Sequence, residues 1–325
     1  MSTYNDSKGS SKTEAGSIHE TSISSTDTAL AAPVPELNSD SEATFGEAFE
    51  AAPEAIALAD AMEEATTATE WLENRNVPKV SIYGVPFSRM SMDETMEYLT
   101  NVIEAKRPSQ IITANPIMVM MGLEDSSFHR MLCESDLVVP DGAGVVWAAG
   151  HVGHPVKERV PGFDLMHRLF LEGEERGWSA YLLGTSQEII DEAAAKLQAQ
   201  YPGTRIAGTH HGFFGEKEDP EVIARIRAAR PHMLFVARSA TTQEPWITRY
   251  KQELGVPLIM GVGGSFDIIA GRLKRAPVFM QKLRLEWFYR LLQQPSRFRR
   301  MLVLPQFALK VIRDKEKVTK PYEPR

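Results

Sequence analysis

Thr113, Asn115 and Asp141 stand at the ends of two apolar runs, SQIITANP and DLVVP, and so bring a hydroxyl, an amide and a carboxylate to two strand-like tips. In an open parallel sheet, ligands bind in the crevice beyond the carboxyl ends of the strands, so these tips would converge on one ligand. An enzyme is the leading reading, because a carboxylate in such a crevice can take a proton from a reacting hydroxyl. The competing reading is local. Asn115-Pro116 and Asp141-Gly142 are also the residue types that begin turns and cap helices.

Two glycine-containing junctions lie on the same edge. Leu182-Leu183-Gly184-Thr185-Ser186 leaves a strand and enters a helix, and Gly261-Val262-Gly263-Gly264-Ser265 does the same. Amides exposed at a helix start can hold a phosphate, and together with the Thr113/Asp141 cluster these junctions favour a nucleotide or diphosphate ligand. Neither matches the Rossmann fingerprint or the Walker pattern, and each by itself is equally a tight turn. No cofactor is expected. Metal is not called for either: His151, His154, His210 and His211 do not fall on one helix face, and Asp136 and Asp141 are not spaced as a two-carboxylate clamp. The lone Cys133 cannot form an internal disulfide and reads as an inert core thiol in a reducing compartment.

The elements that would position these groups alternate. Strands are expected at 79–84, 109–114, 137–140, 179–184, 204–208, 232–237 and 257–262, and helices near 91–106, 116–133, 144–151, 162–176, 186–200, 219–229 and 244–254. That is an α/β chain, a mostly parallel Rossmann-like sheet flanked by helices. No apolar stretch reaches the roughly 18 residues needed to cross a bilayer.

Charge divides the chain into three. Residues 1–70 carry 2 basic against 14 acidic side chains, 71–271 carry 19 against 25, and 272–325 carry 15 against 4. The first segment, rich in Ser, Thr, Ala, Glu and Pro, reads as a disordered acidic tail with room for a helix at 54–74; it has the marks of neither a secretory signal nor a transit peptide. The middle is ample for one α/β core. The last is a basic helical appendage, in which Phe279, Leu283, Trp287 and Leu291 form an i, i+4 ladder among Lys282, Arg284 and Arg290, with a break near Pro295. Such a helix suits an anionic membrane surface; packing of its stripe on the core is the alternative. Nucleic acid is not expected as a partner, because no recognition motif or base-stacking surface accompanies the charge.

Eight ordered blocks carry a resemblance: TANP (113–116), SDLVVPDGAGVVWAA (135–149), ERVPGFDL (158–165), YLLG (181–184), HHGFF (210–214), QEPWI (243–247), GVGGSFDIIAGRLKRAP (261–277) and LEWFYRLLQQPSRFRR (285–300). Over about residues 78–313 the chain resembles the WecG/TagA/CpsF family of bacterial glycosyltransferases. The resemblance implies transfer of N-acetylmannosamine or a related hexose from a UDP-sugar to an undecaprenyl-diphosphate-linked saccharide in cell-surface polysaccharide synthesis. It implies a cytoplasmic protein, peripheral on the inner face of the plasma membrane, and leaves a homo-oligomer open. Carried over residue by residue, it makes Asp141 the catalytic base, with Thr113, Asn115 and Arg159 in the same pocket. Gln243, with Glu244 beside it, becomes a substrate contact; Gly184 and Gly263 of the two glycine junctions, and Asp267, are further candidate substrate contacts. Arg290, Arg297 and Arg300 would close over the site and hold the diphosphate.

The chain departs from the family's usual G-x-P-K-Q-E before the tryptophan, reading Arg238-Ser239-Ala240-Thr241-Thr242-Gln243-Glu244 instead. A nucleotide-sugar epimerase or dehydrogenase is the alternative enzyme, and would need a nicotinamide fingerprint. A catalytically silent interaction module is the alternative outside enzymes, with the altered 238–242 loop as its motive.

Overall fold

The computed structural model describes residues 53–320. Eight strands, β1 (Lys79–Ile82), β2 (Val85–Ser88), β3 (Ser109–Ala114), β4 (Leu137–Pro140), β5 (Ser179–Gly184), β6 (Arg205–His210), β7 (Met233–Ala237) and β8 (Leu258–Gly261), form one sheet in the order β1-β2-β4-β3-β8-β7-β5-β6. β1 and β2 pair antiparallel and every other pairing is parallel. The carboxyl ends of β2 to β8 therefore share one edge.

Helices cover both faces. They are α1 (Pro53–Asn74), α2 (Met92–Glu104), α3 (Pro116–Glu124), α4 (Ser126–Glu134), α5 (Ala143–His151), α6 (Gly162–Arg176), α7 (Gln187–Gln200), α8 (Asp219–Ala229), α9 (Ala240–Leu254), α10 (Ser265–Ile269), α11 (Val278–Lys282), α12 (Glu286–Gln293), α13 (Phe298–Met301) and α14 (Val303–Asp314). The period-2 alternation of the strands decides which face each serves. Ile111, Val139, Leu182, Phe235 and Met260 point into one core with Leu99, Leu169, Ile190 and Phe266 from α2, α6, α7 and α10. Ile112 and Val138 point the other way, toward α3, α4, α5 and α14, while Leu183, Val236 and Ile259 meet α8 and α9 on that side. Since α3 leaves β3 for one face and α10 leaves the neighbouring β8 for the other, a crevice opens between the two connections.

Several expected boundaries move for local reasons. The helix expected over 116–133 is two helices: Asp125 is extended (φ −126°, ψ 109°), and its carboxylate accepts from the amides of Ser127 and Phe128, starting α4 afresh. The strand expected at 79–84 stops at Ile82. Tyr83 and Gly84 both take positive φ (52° and 87°), the requirement of a two-residue hairpin turn, and β2 returns beside β1. Helix α9 begins at Ala240, four residues before the expected start, because Ser239 and the two threonines of the altered loop form its first turn. The helix allowed at 54–74 is α1, tied to α2 by Trp71 against Tyr98 and by Arg75 with Glu97. The acidic tail over 1–52 lies outside the described residues.

The long amphipathic helix expected from Phe279 to Leu291 does not form as one piece. α11 ends in a Schellman cap at Arg284 (φ 62°), with Leu285 N–H donating to Met280 O and Arg284 N–H to Gln281 O. The Phe279/Leu283/Trp287/Leu291 ladder is thereby split between α11, its cap and α12. Beyond α13 the chain returns to the core. Phe307 and Val311 of α14 and Val318 are buried with the α3, α4 and α5 side chains. The β1–β2 turn receives this segment, as Tyr83 N–H donates to Val318 O and the Tyr83 hydroxyl to Asp314. No helix among the described residues is long and apolar enough to span a membrane.

This anchoring has a measurable weight. Phe307 is 1% exposed, so Phe307→Ala should cost about 3–5 kcal/mol of unfolding free energy in a denaturant titration. A loss below about 1 kcal/mol would mean that α14 is not part of the cooperative core.

Candidate active site

Asp141 follows the last residue of β4, held by its own N–H bonded to Ala114 O at the end of β3. Its carboxylate accepts the N–H of Gly162, the first residue of α6, where the helix dipole favours negative charge. Only a glycine can open α6 there, since a Cβ at 162 would lie 2.9 Å from the Thr113 hydroxyl. Thr113 thus sits beside Asp141 at the same edge. Burial pushes the Asp141 carboxyl up to about 6, against the pull of Arg159 and the Gly162 amide. Asp141 is half-buried, with Glu286 and Arg290 of the C-terminal segment beside it. Asn115 does what its local chemistry predicts: its side-chain oxygen caps α3 by accepting from the amides of Ile117 and Met118.

Three arginines and one acid, Arg290, Arg297, Arg300 and Glu286, close the crevice from the C-terminal segment. Arg159 donates to Glu286 of α12. Arg290, one turn further on, packs its guanidinium over Gly264, where a Cβ would come within 2.6 Å of it, and its Nε is buried with no partner. Burial lowers the Arg290 and Arg297 guanidinium pKa values, Arg297 to about 10. Arg297 is repelled by Arg290 and Arg300, and Arg290 by Arg300; Asp267 of α10 offsets part of this for both, and Asp141 for Arg290. Several guanidinium groups at one edge, beside an unpaired N–H, suit an anion with several oxygens, such as a diphosphate.

Gln243 and Glu244 are placed differently from the expectation. Glu244 is 1% exposed; its two oxygens accept from Gln110 Nε2 (2.9 Å) and Gln243 Nε2 (2.9 Å). Gln243 in turn accepts the N–H groups of Arg238 and Gly263. Glu244 therefore lies beneath the crevice and supports it, holding Gln243, which fixes the loop at Gly263. Gly261 makes room, since a Cβ there would come within 2.2 Å of Glu244. Gly263 needs its freedom (φ 51°) to turn the loop. Gly184 (φ 138°) ends β5 against Ala237 O, which would meet a Cβ at 2.2 Å, so close strand packing requires this glycine. Arg238 of the altered loop stacks on Phe214, 4.8 Å from the ring centre.

Gln110, Gly162 and Glu286 escaped the sequence reading. A glutamine inside an apolar strand was the available signal for the first, because a buried amide demands partners. Gly162 and Glu286 stood within the ERVPGFDL and LEWFYRLL blocks, but nothing local indicated what they touch. Asp136 lies at the opposite end of β4, paired with Lys251 at 2.6 Å, and does not approach Asp141's end of the strand. Cys133 is partly buried, its thiol directed to Gly84 O, and burial raises its pKa, which agrees with an inert thiol. Among the described residues no three His, Cys, Asp or Glu side chains converge as a metal site.

Comparison with known proteins places these residues in context. A model of the glycosyl transferase WecG/TagA/CpsF family matches residues 80–321. Curated relatives named N-acetylglucosaminyldiphosphoundecaprenol N-acetyl-beta-D-mannosaminyltransferase include one from Bacillus spizizenii, 33% identical over 223 residues, which cover 69% of this chain and 86% of the relative. Those from Bacillus subtilis and Staphylococcus aureus strain MW2 are each 32% identical, covering 75% and 76% of this chain and 95% and 98% of theirs.

The Glu244 network carries a pH signature. Burial lifts its carboxyl to about 7, so the folded chain holds that proton more tightly than the unfolded chain. This group's contribution is then most favourable at low pH and is lost as pH rises from about 4.5 through 7. Glu244→Gln should flatten that part of the profile, by up to about 3 kcal/mol between pH 5 and 8 in paired denaturant titrations. Parallel profiles for the two proteins would show that the carboxyl ionises normally.

Proposed function

This chain belongs to the WecG/TagA/CpsF family of glycosyltransferases, and from that membership we propose that it moves N-acetylmannosamine or a related hexose from a UDP-sugar to a polyprenyl-diphosphate-linked saccharide. The relatives' names describe an N-acetylmannosaminyl transfer to N-acetylglucosaminyl-diphosphoundecaprenol. The observation that supports this reading most is the pairing of Asp141, a carboxyl with raised proton affinity, with the Arg290/Arg297/Arg300 cluster at the same edge.

In the proposed reaction Asp141 takes the proton of the acceptor hydroxyl as its oxygen attacks the anomeric carbon. The bond from that carbon to the donor diphosphate breaks on the opposite side, inverting the centre, and UDP departs with the bonding electrons. Arg290, Arg297 and Arg300 hold the charge that grows on the diphosphate. Thr113 orients a substrate hydroxyl beside Asp141, and Asp267 and the Gly263 loop line the donor side. The lipid tail of the acceptor brings the reaction to a membrane surface. The side chains Phe279, Leu283, Trp287, Phe288, Leu292 and Phe298 are exposed on α11 to α13, among Lys282, Arg284 and Arg299, which suits docking to an anionic bilayer. Truncation after Gly271 would not isolate this docking role, because it also removes Phe307, Val311 and Val318 from the core.

A general base acts only when ionised, so kcat/KM should fall about tenfold per pH unit below about 6, the value to which Asp141 is lifted. Asp141→Asn should lower turnover about 10²–10⁴-fold and abolish that limb, followed as UDP release across a panel of UDP-sugars with a polyprenyl-diphosphate acceptor. Near-native turnover in this variant would remove Asp141 from the mechanism.

The docking surface is tested by itself. Phe279→Glu with Leu283→Glu, at two positions each 64% exposed, should keep the circular-dichroism spectrum and abolish pelleting with phosphatidylglycerol vesicles. Undiminished pelleting would place the membrane contact elsewhere.

A further inference from the structure

Glu286 and Arg290 lie four residues apart on α12, so both face the core side of that helix. Arg290 is explained by the anion it awaits. Glu286 is not, because a carboxylate facing a diphosphate site works against its ligand. Its partner supplies the reason: Glu286 accepts from Arg159, and both side chains are largely withdrawn from water, 27% and 22% exposed. The charged and hydrogen-bonding groups that face Asp141 are Arg159 from the loop before α6, the Gly162 amide of α6, and Glu286 and Arg290 from α12. Two carboxylates, Asp141 and Glu286, thus share one guanidinium.

We propose that Glu286 is a positioning residue that couples docking of α12 to the strength of Asp141 as a base. With α12 docked, Glu286 engages Arg159 and adds its own negative charge near Asp141, and the helix keeps water away. Both effects favour a proton on Asp141. With α12 lifted, Glu286 departs, water returns, and the Arg159 guanidinium is free to neutralise Asp141, leaving a weaker base. The same helix carries Arg290 and leads into Arg297 and Arg300. The base is therefore at full strength only when the groups that receive the leaving diphosphate are in place, and activation of the acceptor outside a closed site is suppressed. The catalytic meaning rests on the transferase reading above; the direct measurements below do not.

The test uses the full chain without substrate. In ¹³C-carboxyl spectra of aspartate-labelled protein, the Asp141 resonance, identified by its loss in Asp141→Asn, should titrate near 6. Glu286→Gln should move that midpoint down by about one pH unit. Arg159→Gln removes the cation together with the latch, so its midpoint should lie at least about one pH unit above that of Glu286→Gln. Both variants cut the latch, so both should speed tryptic cleavage after Arg284, the exposed left-handed turn between α11 and α12. Separate midpoints with the same change in proteolysis distinguish the coupling from general loosening, which would move both midpoints alike. Coincident midpoints, an unmoved midpoint in Glu286→Gln, or unchanged cleavage rates overturn it. Should Glu286→Gln fail to fold, Arg159→Gln decides alone, an unchanged cleavage rate overturning the proposal. Absence of UDP release in the native protein would instead overturn the proposed function and leave these readouts standing.

Discussion

Like charges confined at one edge of a sheet are the constraint on which this molecule turns. Arg290 and Arg297 are repelled by Arg300 beside them, and burial costs both of them hydration. Such an arrangement persists only if the segment bearing it is fastened independently. The fastening is apolar and comes afterwards in the chain: Phe307, Val311 and Val318 are inserted into the second core, and Tyr83 closes over them. Asp267, Glu286 and Asp141 offset part of the repulsion. The remaining positive charge makes this edge attractive to an anion.

A second buried network lies under the first. Gln110, Gln243 and Glu244 satisfy one another between β3, α9 and β8, and Thr248 completes the Gln110 amide at 2.7 Å. A half-satisfied set of this kind would destabilise the core, whereas a complete one fixes where the Gly263 loop leaves β8. That loop carries Gly264 beneath Arg290 and leads to Asp267. The support of the arginine cluster therefore reaches down through the sheet to a glutamine on its central strand. Loss of the family's Gly, Pro and Lys before Gln243 leaves this network intact, because Gln243 still accepts the Arg238 amide.

Wherever a property depends on neighbours in the chain, the sequence determined it. Alternation of β-branched runs with helical periods yielded an α/β chain, and its strands and most helices fall within a few residues of expectation. The cap at Asn115 and the crevice of Thr113 and Asp141 followed from strand tips and turn chemistry, and the ordered blocks identified the family. The errors were local too. Asp125 reads as one more polar helix residue until its cap bonds are seen, and Tyr83-Gly84 lacks the usual Asn-Gly signal because the left-handed tyrosine is held by the distant C-terminal segment.

Only the tertiary structure decided which charges meet. Glu286 lies 127 residues from Arg159, and Glu244 lies 134 from Gln110, separations over which no periodicity carries information. The amphipathic ladder from Phe279 to Leu291 was legible, but its division by a cap at Arg284 was not, because a non-glycine residue adopts that backbone only when its surroundings hold it there. Proton affinity was beyond the sequence for the same reason. An aspartate after a strand and a glutamate in a helix are ordinary carboxylates by composition, and burial is what raises both, against the pull of their hydrogen-bond partners.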